Sequence, residues 1–231
     1  SFCCYCMRRL FLNDTEDKHK KNITYEHIVP HKIKYNEWQS DKAHYLKFSN
    51  LNKKHIAVCF EGKLTNAQKK VKITGMPYPH FVSYHNLVAS CNGATFEDKT
   101  LVNSHCCNNN RQERFVMPIY LSPDLVNGIS YTSKGELDYD DSVYDCSWFD
   151  KKHLNLTNSW ITLVRRIWCK ISKSGYTDID VEMARNDKNL RQNIIDDVDS
   201  NNEISSWADN DIAWNLFSEY NWFYNYYKSR P

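Results

Sequence analysis

Cys3-Cys4-Tyr5-Cys6 opens the chain with a CxxC pair, Cys3 and Cys6, and two more candidate thiols stand far downstream, at Cys91 and at Cys106 or Cys107. A CxxC puts two thiolates on one tight turn, each able to reach zinc at about 2.3 Å, and a second pair elsewhere completes a tetrahedron. The competing reading, a redox pair, needs a βαβ setting in which the motif follows a strand and opens a helix. The charged stretch from Asn13 to Asn22 provides no such unit. One structural Zn2+ is therefore expected. Nine cysteines is an odd number, and a chain of this length and aromatic content does not call for disulfide staples, so a reducing compartment, the cytoplasm, is expected. Cys59, Cys146 and Cys169 are left as ordinary thiols.

Between the two halves of the thiol set lies Tyr25-Glu26-His27-Ile28-Val29-Pro30, which reads as a short strand ending at a turn. Next come His85-Asn86-Leu87-Val88-Ala89-Ser90-Cys91 and Cys107-Asn108-Asn109-Asn110-Arg111. In that order the elements resemble the HNH nucleases, and the resemblance implies an α+β fold with a zinc-braced ββα-metal core. It implies that His27, on the first strand, activates the nucleophile, that Asn86 braces the intervening loop, and that Asn108 opens the helix as a metal-binding residue, with Asn109 and Asn110 as alternatives.

The chemistry of phosphodiester hydrolysis needs these residue types. A base must take a proton from water near neutral pH, and imidazole is the side chain whose ordinary pKa lies there. A divalent cation, Mg2+ or Mn2+, must offset charge on the scissile phosphate through oxygen ligands, a role open to Glu26 and the Asn108 carbonyl. Arg111 and Lys32 are the expected nucleic-acid contacts, although an Arg at a helix start serves equally as surface charge. The chain departs from the family in one respect: Asn92 to His105 separate Cys91 from the next thiol, where the family uses two residues. Cys107-Asn108 to Arg111 resembles the family's CNxxK pattern with Arg for Lys, which favours Cys107 as the fourth ligand, while His105-Cys106 resembles the HC pair of relatives with this insertion and keeps Cys106 as the alternative.

Composition sets the frame around this unit. The 231 residues are 41% apolar and 25% charged, with only six Gly and six Pro, which excludes a disordered or low-complexity chain. The most apolar stretch, Ile161 to Ile171, is interrupted by Arg165, Arg166 and Lys170 and is too short to span a bilayer. No signal peptide is visible, and Ser1 is not an initiator Met, which leaves room for a preceding segment. Residues 1–115 hold 18 Lys and Arg against 10 Asp and Glu, while residues 116–231 hold 12 against 18. The basic half also has eight of nine His and seven of nine Cys, and its sign suits a polyanion. Two regions are expected: a nuclease core at 1–115 with a basic insertion at about 36–82, and an acidic, mainly helical region at 116–231.

In the second region, residues 128–137 read as two short strands around a Lys-Gly turn. Thr157-Asn158 is a capping signal before Trp160, Leu163, Val164, Ile167, Trp168 and Ile171, which recur at helical spacing. Further helices are expected over about Asp180–Val198 and Asn210–Tyr227, the latter with aromatics from Phe217 to Tyr227 that suit either core packing or a partner. The strand with its Gly turn, the Leu154-Asn155-Leu156 segment and the helix carrying Arg165 and Arg166 are similar to the HNH subfamily of Septu-type and retron anti-phage systems. That subfamily includes PtuB-like nucleases and implies an ABC-type, PtuA-like ATPase partner. Two functions compete on these residues: a metal-dependent endonuclease acting on DNA or RNA, and a zinc-braced nucleic-acid-binding or scaffolding subunit without turnover.

Overall fold

The structure, a computed structural model, describes residues 1–12, 21–28, 87–97, 100–102, 105–111, 127–140, 146–151 and 153–230. The basic insertion at 36–82, Lys32, Asn86 and Cys59 lie outside the described residues, as do the side chains of Asn108 and Cys146. The described chain is mixed α/β, with three small antiparallel sheets of two strands each and helices concentrated after residue 158.

The first sheet pairs β1 (Ile23–His27) with β2 (Leu87–Cys91), in register from Ile23 opposite Cys91 to His27 opposite Leu87. Side chains alternate across a strand, so Tyr25 is 67% exposed while Glu26 is 9% exposed. A second hairpin, β3 (Thr95–Glu97) and β4 (Thr100–Val102), follows at once and occupies the stretch that separates Cys91 from the next thiol. The short helix α1 (Cys107–Arg111) then packs on β2. A third hairpin, β5 (Ile129–Tyr131) and β6 (Leu137–Tyr139), closes where the sequence placed its Lys-Gly turn. Gly135 has φ +79° there, and a Cβ would stand 2.0 Å from the Thr162 carbonyl oxygen, so only glycine lets the turn lie against the next helix.

That helix, α2 (Ser159–Lys173), begins at the expected cap, where the Asn158 side chain accepts from the Ile161 amide. Its apolar stripe is core: Ile161, Val164, Ile167, Trp168 and Ile171 are all buried. The single helix expected over 180–198 is two, α3 (Asp178–Met183) and α4 (Lys188–Val198). Two caps divide it. Thr177 and Asp180 form a reciprocal capping box, and Asp187 accepts from the Asn189 and Leu190 amides. Buried Arg191 secures the break by donating to the carbonyls of Ala184, Arg185 and Ala208.

The segment expected as one helix over 210–227 also divides, into α5 (Asp211–Ser218) and α6 (Trp222–Lys228). Here the Glu219 carbonyl accepts from the Arg9 amide at 2.7 Å instead of continuing a helical ladder. The aromatics around this break are the chain's own core. Phe217, Tyr220 and Phe223 have no exposed surface, and Trp168 stacks on Phe217 at 4.9 Å. Interface anchors are thus not what Phe217, Tyr220 and Phe223 supply.

Buried side chains of the basic and acidic halves form one continuous cluster that runs from Cys3 to Tyr227. Backbone and side-chain bonds cross between the halves as well. The Cys107 amide donates to Leu154 O at 2.9 Å, and Asn155 Nδ2 to His105 O at 2.6 Å. No described helix is long and apolar enough to cross a membrane.

Candidate metal centre

Residues 1–10 fold back on themselves. The Cys3 amide donates to Arg8 O at 2.8 Å, the Leu10 amide to Ser1 O at 2.9 Å, and Phe2 bridges Arg9 in antiparallel fashion. The turn is completed by Met7 at φ 61°, a left-handed conformation uncommon outside glycine and stabilised by its amide's bond to Cys3 O. Cys3 and Cys6 therefore sit on the inside of one knuckle, and the Cys4 amide ties it to β2 through Ala89 O at 3.1 Å.

The second knuckle is assembled from two distant pieces. Cys91 ends β2, and Gly93 follows with φ +72°, its amide donating to Cys91 Sγ at 3.4 Å. The Gly93 carbonyl accepts from both the His105 and Cys106 amides, which brings Cys107 back after the β3–β4 hairpin. A Cβ on Gly93 would approach Cys106 O to 2.4 Å, so the closure requires glycine. Cys107 itself takes φ 55° as it opens α1. The loop between Cys91 and Cys107 is therefore a hairpin inserted into a knuckle whose two ends still meet.

The four sulfurs of Cys3, Cys6, Cys91 and Cys107 all lie within 4.8 Å of one another, and all four residues are buried. Cys3 Sγ is 3.8 Å from Cys107 Sγ, and Cys6 Sγ is 3.7 Å from Cys91 Sγ. A tetrahedron with metal–sulfur bonds of about 2.3 Å has edges of about 3.8 Å, so the donor set fits a thiolate-bound metal such as zinc. Cys107, not Cys106, completes the set; Cys106 is equally buried but is not one of the four.

The thiols feel one another. Burial would raise Cys3, but hydrogen bonding with Cys107, Cys4, Cys6 and Cys91 outweighs it and holds the thiol well below its ordinary range. Burial pushes Cys107 well up, and its interactions with Cys106, Cys3, Cys6 and Cys91 push it the same way. A cation placed among the four would stabilise every thiolate at once. Cys169, read as an ordinary thiol, is buried on α2.

The candidate catalytic residues surround this centre unevenly. His27 is half-buried at the end of β1. Glu26 points inward, and burial raises its carboxyl above the ordinary range against the opposing pull of Arg111. Among the described residues no second convergent group of His, Cys, Asp or Glu accompanies the four thiols.

Asn109 and Asn110 are used structurally. Asn109 Nδ2 donates to Asn92 O at 2.5 Å, and Asn110 Nδ2 to the carbonyls of Lys151 and His153. Arg111, expected to face a phosphate, is 1% exposed. Its guanidinium donates to the carbonyls of His27 and Ile28, since a buried Arg must spend its donors on protein acceptors. Sequence reasoning missed Arg8 and Gly93. The left-handed turn demanded at Gly93 is the kind of signal a lone glycine after a cysteine carries, whereas Arg8 gives none. No family model, curated protein or solved structure matches the chain.

Proposed function

We propose that the chain is a metal-dependent endonuclease of the HNH type, hydrolysing phosphodiester bonds of DNA or RNA. The observation that carries this reading is the arrangement around the thiols: a strand ending at His27, an antiparallel strand ending at Cys91, and a helix opening at Cys107-Asn108. In this reading the ββα unit is braced from outside by structural zinc. His27 takes a proton from water, the step for which an imidazole is suited at neutral pH. A divalent ion such as Mg2+ or Mn2+ supplies charge stabilisation at the phosphate. The chain's resemblance to the nucleases of Septu-type and retron systems extends the proposal to an anti-phage effector working with an ABC-type ATPase.

A second reading draws on Glu26. Its inward carboxylate favours a zinc-braced nucleic-acid-binding or scaffolding subunit without turnover. One experiment separates the two. Zinc-loaded chain is incubated with supercoiled DNA, linear DNA and single-stranded RNA, each with Mg2+ or Mn2+. Cleavage that falls by about 10²- to 10⁴-fold in His27→Ala, with zinc content and nucleic-acid binding unchanged, supports the nuclease. Binding without cleavage by the parent supports the second reading, and parental cleavage by His27→Ala overturns His27 as the base. Co-purification with an ABC-type ATPase from the same source tests the partner.

A further inference from the structure

We infer that Arg111 is the positioning residue for His27, and that through it the metal-braced helix sets the direction in which the imidazole points; the inference rests on the reading of His27 as the base. Among the described residues, the β1–β2 register runs as far as the His27–Leu87 pair. Buried carbonyls must be satisfied somewhere, and here the acceptors are His27 O and Ile28 O. Arg111 Nη2 donates to His27 O and Nη1 to Ile28 O at 3.4 Å, so one planar fork grips two consecutive peptide units.

Both sides of that fork are anchored. Arg111 lies one helical turn after the thiol Cys107 on α1. The guanidinium carbon also stands 5.8 Å from the ring centroid of Tyr5, which is fully buried between Cys4 and Cys6 in the first knuckle. The clamp thus has one foot on each knuckle and its grip on the backbone of His27. Because a side chain's direction follows from its backbone dihedrals, fixing the peptide that follows residue 27, while the β1–β2 pairing holds the strand that precedes it, restricts where the imidazole lies. Lysine, a point donor on a flexible stem, reaches one carbonyl at a time.

The test uses zinc-loaded full chain with Arg111→Lys and Arg111→Gln, read in two ways. In proton–carbon NMR spectra, the His27 ring resonance, assigned by its loss in His27→Ala, is expected to shift or broaden in Arg111→Gln while the other His resonances of the nine stay in place. In cleavage assays, kcat is expected to fall by about 10²-fold in Arg111→Gln, with KM within about twofold and partial recovery in Arg111→Lys. An unmoved His27 resonance, or parental kcat in zinc-loaded Arg111→Gln, overturns the inference. Loss of zinc or of helical signal in both variants also overturns it, because Arg111 would then serve folding alone. If the parent does not cleave, the nuclease reading fails by itself, and the His27 resonance still decides whether Arg111 positions that ring.

Discussion

Arg8 Nε donates to Glu219 Oε2 at 2.5 Å, joining residues 211 apart in sequence across an interface that leaves the side chains only 6% and 11% exposed. Asn22 Nδ2 shares the same carboxylate oxygen at 3.1 Å, and Arg8 Nη1 reaches on to Asn92 Oδ1 at 2.9 Å. The first knuckle, the loop after Cys91 and the break between α5 and α6 therefore meet at one carboxylate. Burial alone would weaken the charge on Arg8, but Glu219 beside it keeps the guanidinium firmly protonated.

Removing one partner of a buried ion pair strands the other charge, which typically costs about 3–5 kcal/mol. Glu219→Ala is expected to lower stability by about 3 kcal/mol, with a smaller loss for Glu219→Gln, which keeps an acceptor for Arg8. Urea denaturation followed by circular dichroism and by tryptophan fluorescence checks this. Coincident transitions by both probes are expected as well, because the core is continuous between the halves. Truncation before Asn210 should accordingly yield insoluble or unfolded chain. A truncated chain that holds zinc and unfolds cooperatively would contradict that expectation.

Zinc stoichiometry gives a second expected outcome. Cys3→Ser, Cys6→Ser, Cys91→Ser and Cys107→Ser each remove one corner of the four-thiol set and should lower bound zinc from about one per chain, as measured by elemental analysis. Cys106→Ser should retain it. Because the apo site brings buried thiols together without a cation, chelation should destabilise the whole cooperative unit, and readdition of zinc should restore it. Zinc retained in Cys107→Ser but lost in Cys106→Ser would reassign the fourth ligand.

What was legible in the sequence was what local chemistry decides. Asn158 caps α2 because a side-chain carbonyl beside an apolar stripe has one obvious use, and the CxxC pair at Cys3 and Cys6 sits on a turn because its spacing demands it. The break at 184–187 is local, made by the Asp187 cap and by Arg191 seven residues past Ala184, whereas the break at 219–221 was not legible, since it depends on Arg9 and Arg8 arriving from elsewhere. The aromatics from Phe217 to Tyr227 carry the same composition whether they pack against a partner or against α2, so their spacing could not decide between those uses. Arg111 shows the same limit for charge. Its positive sign suggested phosphate, but the carbonyls that receive its donors lie more than 80 residues away in sequence, Ile28 being 83 positions from it.

Glu26 offers a prediction in which pH gives the sign. Burial raises its carboxyl in the folded chain above the ordinary value of about 4.3, so the folded state binds its proton more tightly than the unfolded state does. By linkage, the folded chain then loses stability as pH rises from the ordinary carboxylate range through the raised folded value, and above that value the loss is complete. Glu26→Gln removes the ionisation while keeping size and shape. It should raise the thermal midpoint at pH 7, and the gain should shrink as pH falls, vanishing below about pH 4, where the parent's carboxyl is protonated in both states. Differential scanning fluorimetry of zinc-loaded protein across that range checks the expectation. A Glu26→Gln variant less stable than the parent at pH 7 would mean that attraction to Arg111 outweighs burial.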